Sequence, residues 1–512
     1  MAKDVPNAGR VVPVDSVRAG AQILDVITSG MYSNPLMAVR EYIQNAVDSI
    51  DDAVAAGLIP AAKGRVEVEV DGRNRTLTVI DNGTGVRDAD VTGVLCSLGI
   101  STKRPGSKRG FRGIGRLGGI GYCDRLVFET RVAGQNHVCT VTWDCRKLRQ
   151  ELADPSHPVD VGSVVRLVIA VRRRPAAFGE APHFFSVQLD NVHRFHKDEI
   201  MNVGRLSSYL GQAAPVPFDQ VAFPFAKTIE AHLAGVDGYR SYDIRVNGKQ
   251  VFRPHAQTLS LDSDSDTIKG VELLDLRGPE GVMMGRGWYA KTEYLASLPQ
   301  ANEMRGIRVR QGNLEIGDEY YLAGAFAERR FATWHIGEIH IGYSLKANAR
   351  RDGFEQSPAH EALLEQAGLL GRHLSQLCRA SSKHRSERVH AERMLEKAER
   401  LTGQAFAVDA EHGAQTRTEV ALLLAKLGAM GAVSAAIPHF SQRLQTITGA
   451  LERMHTGTRD LPQMLDGRSL RHIDARTVLQ QVAKTIVDHH TSDVSKEDLL
   501  ALVLAPYLKL RS

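Results

Sequence analysis

The stretch REYIQNAVDSID (residues 40–51) most constrains the fold, because it reads as a helix with two opposed faces. Two sets of side chains repeat at i, i+4 and i+7 on nearly opposite sides: the apolar Ile43, Val47 and Ile50 and the polar Glu41, Asn45 and Asp48. The apolar set must pack against another layer of the protein. The polar set is either a solvated surface or a group of oxygen-bearing side chains aligned for a metal or a water.

A β-hairpin is predicted directly after this helix, in RVEVEVDGRNRTLTVIDNG (65–83). Valines alternate in its first half, Asp71-Gly72 marks a turn, and Leu77 and Val79 resume the alternation. Further strands are predicted at 124–132, 137–144 and 162–171, and the glycine-rich segment 92–122 reads as a long loop that runs into a helix. A helix followed by strands of this kind predicts a two-layer α+β sandwich.

Asp81 ends the second strand of the hairpin and enters the sequence DNGTG. An aspartate before two glycines is compatible with a simple turn. Alternatively, a carboxylate fixed at a strand end accepts a hydrogen bond from an exocyclic amine, while Gly83 and Gly85 let the backbone approach a flat base. Both interpretations stay open at this point.

The segment GFRGIGRLGG (110–119) has the spacing G-x-x-G-x-G. A dinucleotide-binding fold would place such glycines directly after the first strand of a βαβ unit, whereas here they follow a long loop. The H-R-D and D-F-G elements of a protein kinase and a Walker A loop are missing from the sequence.

The chain of 512 residues predicts about three domains. No apolar run approaches the roughly 20 residues of a membrane span, and the N-terminus lacks the apolar core of a secretory signal. Five cysteines without C-x-x-C spacing favour a reducing, cytoplasmic location and argue against structural zinc. The net charge of +5 permits contact with nucleic acid without implying it.

Taken together, the order of these features resembles the GHKL ATPases: E-x-x-x-N-x-x-D on a helix, strand-D-x-G-x-G, the glycine loop, and Gly162-Ser163 just before an apolar strand. This superfamily includes heat-shock protein 90, MutL, MORC proteins, type II topoisomerases and histidine kinases. GMYSNPLMAVREYIQNAVDSIDD and GFRGIGRLGGIGYCD most resemble the heat-shock protein 90 form, and GFRG is also similar to MutL. The resemblance is specific over residues 20–170 and looser to 355.

The resemblance implies three regions. Residues 1–175 are expected to form a Bergerat-type two-layer α/β sandwich that binds ATP, and residues 176–355 an α+β, transducer-like middle domain. Residues 356–512 are almost entirely helical in pattern, with a possible coiled coil at about 370–402 that would serve dimerisation. A helix packed on its own domain is the alternative for that segment.

The resemblance also implies roles for individual residues. Glu41 would be the general base and Arg40 would orient it; Asn45 would coordinate Mg²⁺, supported by Asp48. Asp81 would read the adenine amine with Gly83 and Gly85 beside it, backed by Ser163. The phosphates would lie on Gly110, Phe111, Arg112, Gly113, Ile114 and Gly115, with Lys103 in a mobile lid or simply in a solvated loop.

A cation from the middle domain completes the expected site. NARRDGF (348–354) resembles the N-x-x-R segment of heat-shock protein 90, which implies Arg351 for the γ-phosphate, with Arg350 or Lys346 as the fallback and a basic surface loop as the alternative. The implied function is an ATP-hydrolysing, homodimeric clamp on a protein client. A MutL- or MORC-like clamp on DNA, or a nucleotide-gated scaffold with little turnover, remains open.

Overall fold

The computed structural model of the chain describes residues 34–97, 115–153, 160–195, 197–261, 265–278, 281–293, 295–348, 350–404 and 410–456. The described residues up to Ser375 form one compact unit, and those from Gln376 onward form a second. The first unit mixes helices with two main sheets and the second is helical, which confirms the predicted α+β class with a helical C-terminal region. Among the described helices, none is both long and apolar enough to cross a membrane.

The first sheet has eight strands in the order β5-β4-β3-β6-β2-β1-β7-β8. The strands are β1 (Arg65–Asp71), β2 (Thr76–Asp81), β3 (Arg125–Arg131), β4 (His137–Asp144), β5 (Ile169–Pro175), β6 (Phe184–Asp190), β7 (Asp243–Val246) and β8 (Lys249–Gln250). The predicted hairpin is confirmed as β1–β2, which pair antiparallel. The sheet takes β6, β7 and β8 from beyond residue 175, so strand pairing does not follow the division expected there, and the three-domain division stays a prediction.

Five of the described helices pack on this sheet: α1 (Leu36–Ala55), α2 (Val91–Leu95), α3 (Cys145–Ala153), α4 (Val161–Val168) and α5 (Val203–Ala213). The next helix, α6 (Ala226–Leu233), packs instead in a separate core with Trp288. Helix α1 buries Ile43, Val47 and Ile50 against Val66 and Val79 of the sheet, as its apolar face requires. The helix predicted at residues 40–51 is confirmed within α1, which ends at Ala55 before Gly57 adopts a left-handed φ of 69°.

One strand prediction is wrong. Residues 161–168 form helix α4 rather than the start of a strand, and only Ile169 onward is extended. The carboxylate of Asp160 caps this helix by accepting a hydrogen bond from the Gly162 amide. Val164 and Val168, spaced i and i+4, are both buried in the core. Residues 161–168 are rich in β-branched side chains, but they fold as a helix because their buried positions repeat at the spacing of a helix and not at that of a strand.

The second sheet has five strands in the order β11-β12-β15-β13-β14, and a separate two-stranded sheet pairs β9 with β10. The strands are β9 (Thr258–Ser260), β10 (Ser265–Thr267), β11 (Gly270–Arg277), β12 (Met283–Lys291), β13 (Gly306–Gln311), β14 (Leu314–Ile316) and β15 (Ile336–Ile341).

A fully buried ionic cluster joins this sheet to the helical layer of the first. Glu338 on β15 binds Arg310 at 2.7 Å, His340 at 3.0 Å and Arg253. Arg310 also donates to the backbone oxygens of Gln212 and Ala214, at the end of α5. Buried charges are stable only when paired and hydrogen-bonded, so these contacts fix β13 and β15 against α5.

The second unit is built from α7 (Pro358–Gln404, which begins in the first unit), α8 (Ala410–Ala429), α9 (Ala432–Ala435) and α10 (Phe440–Thr456). Its core combines Ala391, Leu395 and Ala398 with apolar residues of α8 and α10. The helix predicted at 370–402 is confirmed, and its last turns pack within the same chain. The coiled coil stays a prediction, and residues 457–512 of the predicted helical region lie outside the described residues.

Buried histidines make the stability of the first unit depend on pH. Burial lowers the pKa of His255 to about 3 and the pKa values of His335 and His340 to about 4, with Glu338 opposing the shift at His255 and His340. Between the ordinary value near 6.5 and these lowered values, the unfolded chain binds more protons than the folded one. The free energy of unfolding should therefore fall as the pH decreases from 7 to about 4.

Replacing His255 by Phe should reduce this dependence, because an apolar ring suits a site with Phe218, Phe223 and Trp288 within 5.7 Å between ring centroids. We expect a slope shallower by up to about 1.4 kcal/mol per pH unit, the contribution of one proton. Urea unfolding followed by tryptophan fluorescence reports on the first unit, which contains all three tryptophans. An unchanged slope, or the same change in the exposed control His390→Gln, would contradict the assignment.

Candidate nucleotide-binding site

The polar face of α1 is enclosed by the protein. Arg40, Glu41, Gln44 and Asp48 are all at most 8% exposed, and Asn45 is half-buried. Charged side chains are almost never buried unless other groups compensate for the lost hydration. The interpretation of this face as a solvated surface is therefore wrong.

A glycine turn closes one side of this face. A β-carbon on Gly115 would collide with Glu41 Oε2, so a side chain at this position would require the Glu41 carboxylate to move. Four residues later, the Gly119 amide donates to the hydroxyl of Tyr42, on the next residue of α1, at 2.7 Å. The end of the predicted phosphate loop is thus fixed against the helix. The other members, Gly110, Phe111, Arg112, Gly113 and Ile114, and also Lys103, lie outside the described residues.

Arg351 approaches the same carboxylate from a distant part of the chain. Its Nε lies 3.4 Å from Glu41 Oε1, and both side chains are about nine-tenths buried. Arg40 donates to the backbone oxygen of Arg350 at 3.3 Å, which holds the two segments together. Lys346 instead pairs with Glu355 at 2.8 Å and is half exposed. Of the three basic residues considered for this position, Arg351 is the one the structure brings to Glu41.

The backbone at Arg351 is constrained to direct this side chain. Arg351 has a φ of 56°, in the left-handed region that non-glycine residues rarely adopt. The Gly317 amide donates to the Arg351 oxygen at 2.8 Å, and the Arg351 amide donates to the Asn348 oxygen at 3.3 Å. The loop after β14 therefore holds an unfavourable backbone conformation in place, as is common at functional sites.

Asp81 lies buried at the end of β2, with its Oδ1 accepting from the Gly83 amide at 2.8 Å. This bond is the one expected of a simple turn. A surface turn, however, would leave the carboxylate in water, whereas Asp81 is 3% exposed. A β-carbon on Gly83 would lie 2.1 Å from Ser49 Oγ, so the turn packs directly against α1. Gly85 has a φ of 70° and also leaves no room for a side chain.

Ser163 does not occupy the position implied by the family pattern. It lies in the first turn of α4, and its hydroxyl donates to Asp160 at 2.5 Å. The strand hydrogen-bonded to β2 on the side away from β1 is β6. The expectation that Gly162-Ser163 enters a strand is wrong, because this pair begins a capped helix instead.

Thr130 on β3 is a buried hydroxyl that the sequence reasoning missed. Its side chain is on the face of the sheet shared by Asp81, since Thr130 and Asp81 both lie opposite Phe185 of β6. It is 1% exposed and accepts from the Val86 amide at 2.7 Å, just after the DNGTG turn. The available signal was that Thr130 continues the alternation of Leu126 and Phe128, where a third apolar residue would be expected.

Two further polar groups border the site. Arg116, next to Gly115, is largely buried and donates to the Ser97 oxygen at 3.0 Å. Burial lowers its pKa to about 10, so it remains a cation at neutral pH beside the glycine turn. Tyr209 on α5 is near Arg40 and Glu41, and burial raises its pKa to about 12, which keeps the phenol protonated. The site therefore contains buried groups of both signs.

These features belong to one class of protein. Residues 32–164 match the family model described as histidine kinase-, DNA gyrase B-, and HSP90-like ATPase, which confirms the GHKL assignment for this part of the chain. The site residues on α1 and β2, together with Gly115, fall within the matched segment. Arg351 lies outside it.

The chain is also similar to several bacterial chaperones. The chaperone protein HtpG of Acinetobacter baylyi is 32% identical over 132 residues, which are 22% of this chain and 21% of that protein. HtpG of Psychrobacter arcticus is 31% identical over 141 residues, 24% and 22% of the two chains. HtpG of Frankia casuarinae is 34% identical over 95 residues, 17% and 15%. The aligned part thus spans about a fifth of the first relatives, and the heat-shock protein 90-like character of the ATPase segment is confirmed.

The contact between Tyr42 and Gly119 can be tested by removing one hydroxyl. Tyr42→Phe leaves a buried amide without its acceptor, which should lower the free energy of unfolding by about 1–3 kcal/mol. Urea unfolding followed by tryptophan fluorescence measures the change. The control Tyr320→Phe alters a ring that is 44% exposed and should stay within about 0.5 kcal/mol of the wild type. Equal stability of both variants would show that the glycine turn is not held by Tyr42.

Proposed function

We propose that this protein is a Mg²⁺-dependent ATPase in which Glu41 activates water and Arg351 stabilises the departing phosphate. The observation that carries the proposal is the position of the Glu41 carboxylate between Gly115 and Arg351. A base, a backbone turn able to bind phosphate and a cation lie together at the start of one buried helix. Phosphoryl transfer requires this combination, because it depends mainly on positioning and charge stabilisation.

The remaining roles follow from the chemistry of the side chains around α1. Asn45, on the same face as Glu41 and Asp48, offers an amide oxygen to Mg²⁺, which prefers oxygen ligands and is held by few protein groups together with phosphates. When bound, Mg²⁺ neutralises phosphate charge. Asp81 would accept from the adenine amine, with Gly83 and Gly85 leaving room for the base. The buried cation Arg116 adds positive potential near the phosphate loop.

In the proposed reaction, Glu41 takes a proton from the attacking water as its oxygen bonds to the γ-phosphorus. The bond from the γ-phosphorus to the bridging oxygen of ADP breaks, and the guanidinium of Arg351 balances the charge on the transferred group. The ion pair between Arg351 and Glu41 indicates that the guanidinium already reaches this carboxylate. A γ-phosphate beside Arg351 would compete for the guanidinium and leave Glu41 available as a base.

We further propose that the ATPase operates a homodimeric clamp in the cytoplasm, with residues 1–175 as the ATP-binding domain and 176–355 as the middle domain. Similarity to proteins named as chaperones favours a protein client. Arg351 and Glu41 lie 310 positions apart in sequence, so completing the site requires distant segments to dock. Such gating would make turnover slow.

The roles proposed for Glu41 and Asp81 predict that substituting Glu41 strongly slows hydrolysis, whereas substituting Asp81 abolishes ATP binding. Glu41→Gln should bind ATP with wild-type affinity and hydrolyse it about 10²–10⁴-fold more slowly, because it removes the proton acceptor and keeps the size of the side chain. Asp81→Asn should lose ATP binding, because its amide presents a donor where the adenine amine needs an acceptor. Calorimetric titration with ATP and a phosphate-release assay measure the two effects. Normal hydrolysis by both variants would refute the site, and the exposed control Glu69→Gln should match the wild type in both assays.

The role proposed for Arg351 predicts that it is the one basic residue of 346–351 whose substitution strongly slows ATP hydrolysis. Arg351→Ala should reduce the rate of hydrolysis on the order of 10²-fold while ATP still binds, since one group that stabilises the transition state is removed. Lys346→Ala and Arg350→Ala are matched controls from the same loop and should hydrolyse ATP within a fewfold of the wild type. A large loss in either control together with normal turnover of Arg351→Ala would transfer the role to that neighbour.

A further inference from the structure

Part of helix α7 contains no buried side chain over three turns. Every residue from Arg379 to His390 is exposed or half-buried, whereas the flanking Cys378 and Ala391 are buried. This stretch has the sequence RASSKHRSERVH, with four Arg or Lys residues, two histidines and one glutamate. Its charge is therefore strongly of one sign.

Some of the basic residues line up along the helix, whereas Arg385 and Arg388 lie on other sides of it. At 3.6 residues per turn, Arg379, Lys383, His390 and Arg393 lie within roughly 40° of one line along the helix surface, and we call this set the basic stripe. All four are exposed, as is Ser386, which lies on the same line. The stripe extends about 21 Å at 1.5 Å per residue. The one carboxylate of residues 379–390, Glu387, is at one side of it, 3.9 Å from Lys383.

A membrane surface and an ordinary solvated helix both fit this arrangement poorly. Helices that lie on membranes need an apolar face opposite their basic one. The exposed apolar residues nearby, Leu377 and Val389, are on different sides of the helix and form no such face. A merely solvated helix usually alternates charges of both signs along its surface, whereas the stripe consists of Arg, Lys and His side chains without a carboxylate.

We propose that the basic stripe binds the phosphate backbone of duplex DNA. A straight row of cations, with serine hydroxyls between them, matches a linear polyanion whose contacts are made chiefly by Arg, Lys and Ser to phosphate oxygens. The contacts that we propose are to phosphates, which carry no sequence information, so binding is independent of base sequence. The stripe belongs to the helical C-terminal unit, and this inference does not rest on the proposed ATPase.

The test compares two triple variants of the full chain. Arg379→Gln/Lys383→Gln/Arg393→Gln removes three stripe charges with residues that favour helices. The matched control Arg172→Gln/Lys227→Gln/Lys249→Gln removes three exposed charges elsewhere. Fluorescence anisotropy of a labelled 30-base-pair duplex between 50 and 200 mM salt gives the affinity and its salt dependence, and circular dichroism verifies the helix content of both variants.

We expect the wild type and the control to bind alike and the stripe variant to bind at least about tenfold more weakly at 0.1 M salt. The slope of log K against log salt should also decrease in magnitude by about 2.7, since each phosphate contact contributes about 0.9. An equal loss of affinity in both variants would show that binding depends only on net charge, and this would overturn the proposal. The proposal would also be overturned if the wild type did not bind the duplex, or if the stripe bound anionic lipid vesicles or a polyglutamate peptide but not the duplex.

Discussion

Burial of the polar face of α1 is the constraint on which the rest of the site depends. The helix packs its apolar side on the first sheet and places Glu41 and Asp48 away from water on the other side. Charged groups remain buried only where other groups compensate. The Gly115 turn and Arg351, more than 200 residues apart in sequence, meet at Glu41 for this reason. The contacts that compensate for the burial of these charged side chains also form the site at which we propose that ATP binds.

A second buried ionic centre, around Glu338, supports the first. Arg310 links Glu338 to the carbonyl end of α5, and Tyr209 of that helix lies close to Arg40 and Glu41. The second sheet, which leads to the loop of Arg351, is thereby tied to the helical layer that contains Glu41. Replacing one member of such a network leaves its partners charged and unpaired, so the two centres are sensitive to single substitutions.

The sequence predicted those parts of the site whose signal is local. The helix at 40–51 and the β1–β2 hairpin have strong periodicity, and the N-x-x-R resemblance selected Arg351, which the structure brings to Glu41. The strand predicted at Ser163 is wrong, because the cap at Asp160 and the i, i+4 burial of Val164 and Val168 favour a helix over a strand. The parallel pairing of β1 with β7 joins residues 178 positions apart and leaves no local trace, so the extent of the first sheet could not be predicted.

A structure of the protein with Mg²⁺ and a non-hydrolysable ATP analogue would show most directly whether ATP binds at the buried polar face of α1. We expect the adenine amine at the carboxylate of Asp81, the metal at Asn45, and the γ-phosphate between Gly115 and Arg351, within hydrogen-bond distance of a water held by Glu41. An analogue bound away from α1, or one whose γ-phosphate contacts neither Gly115 nor Arg351, would contradict the claim that the buried polar face of this helix is an ATP-hydrolysing site.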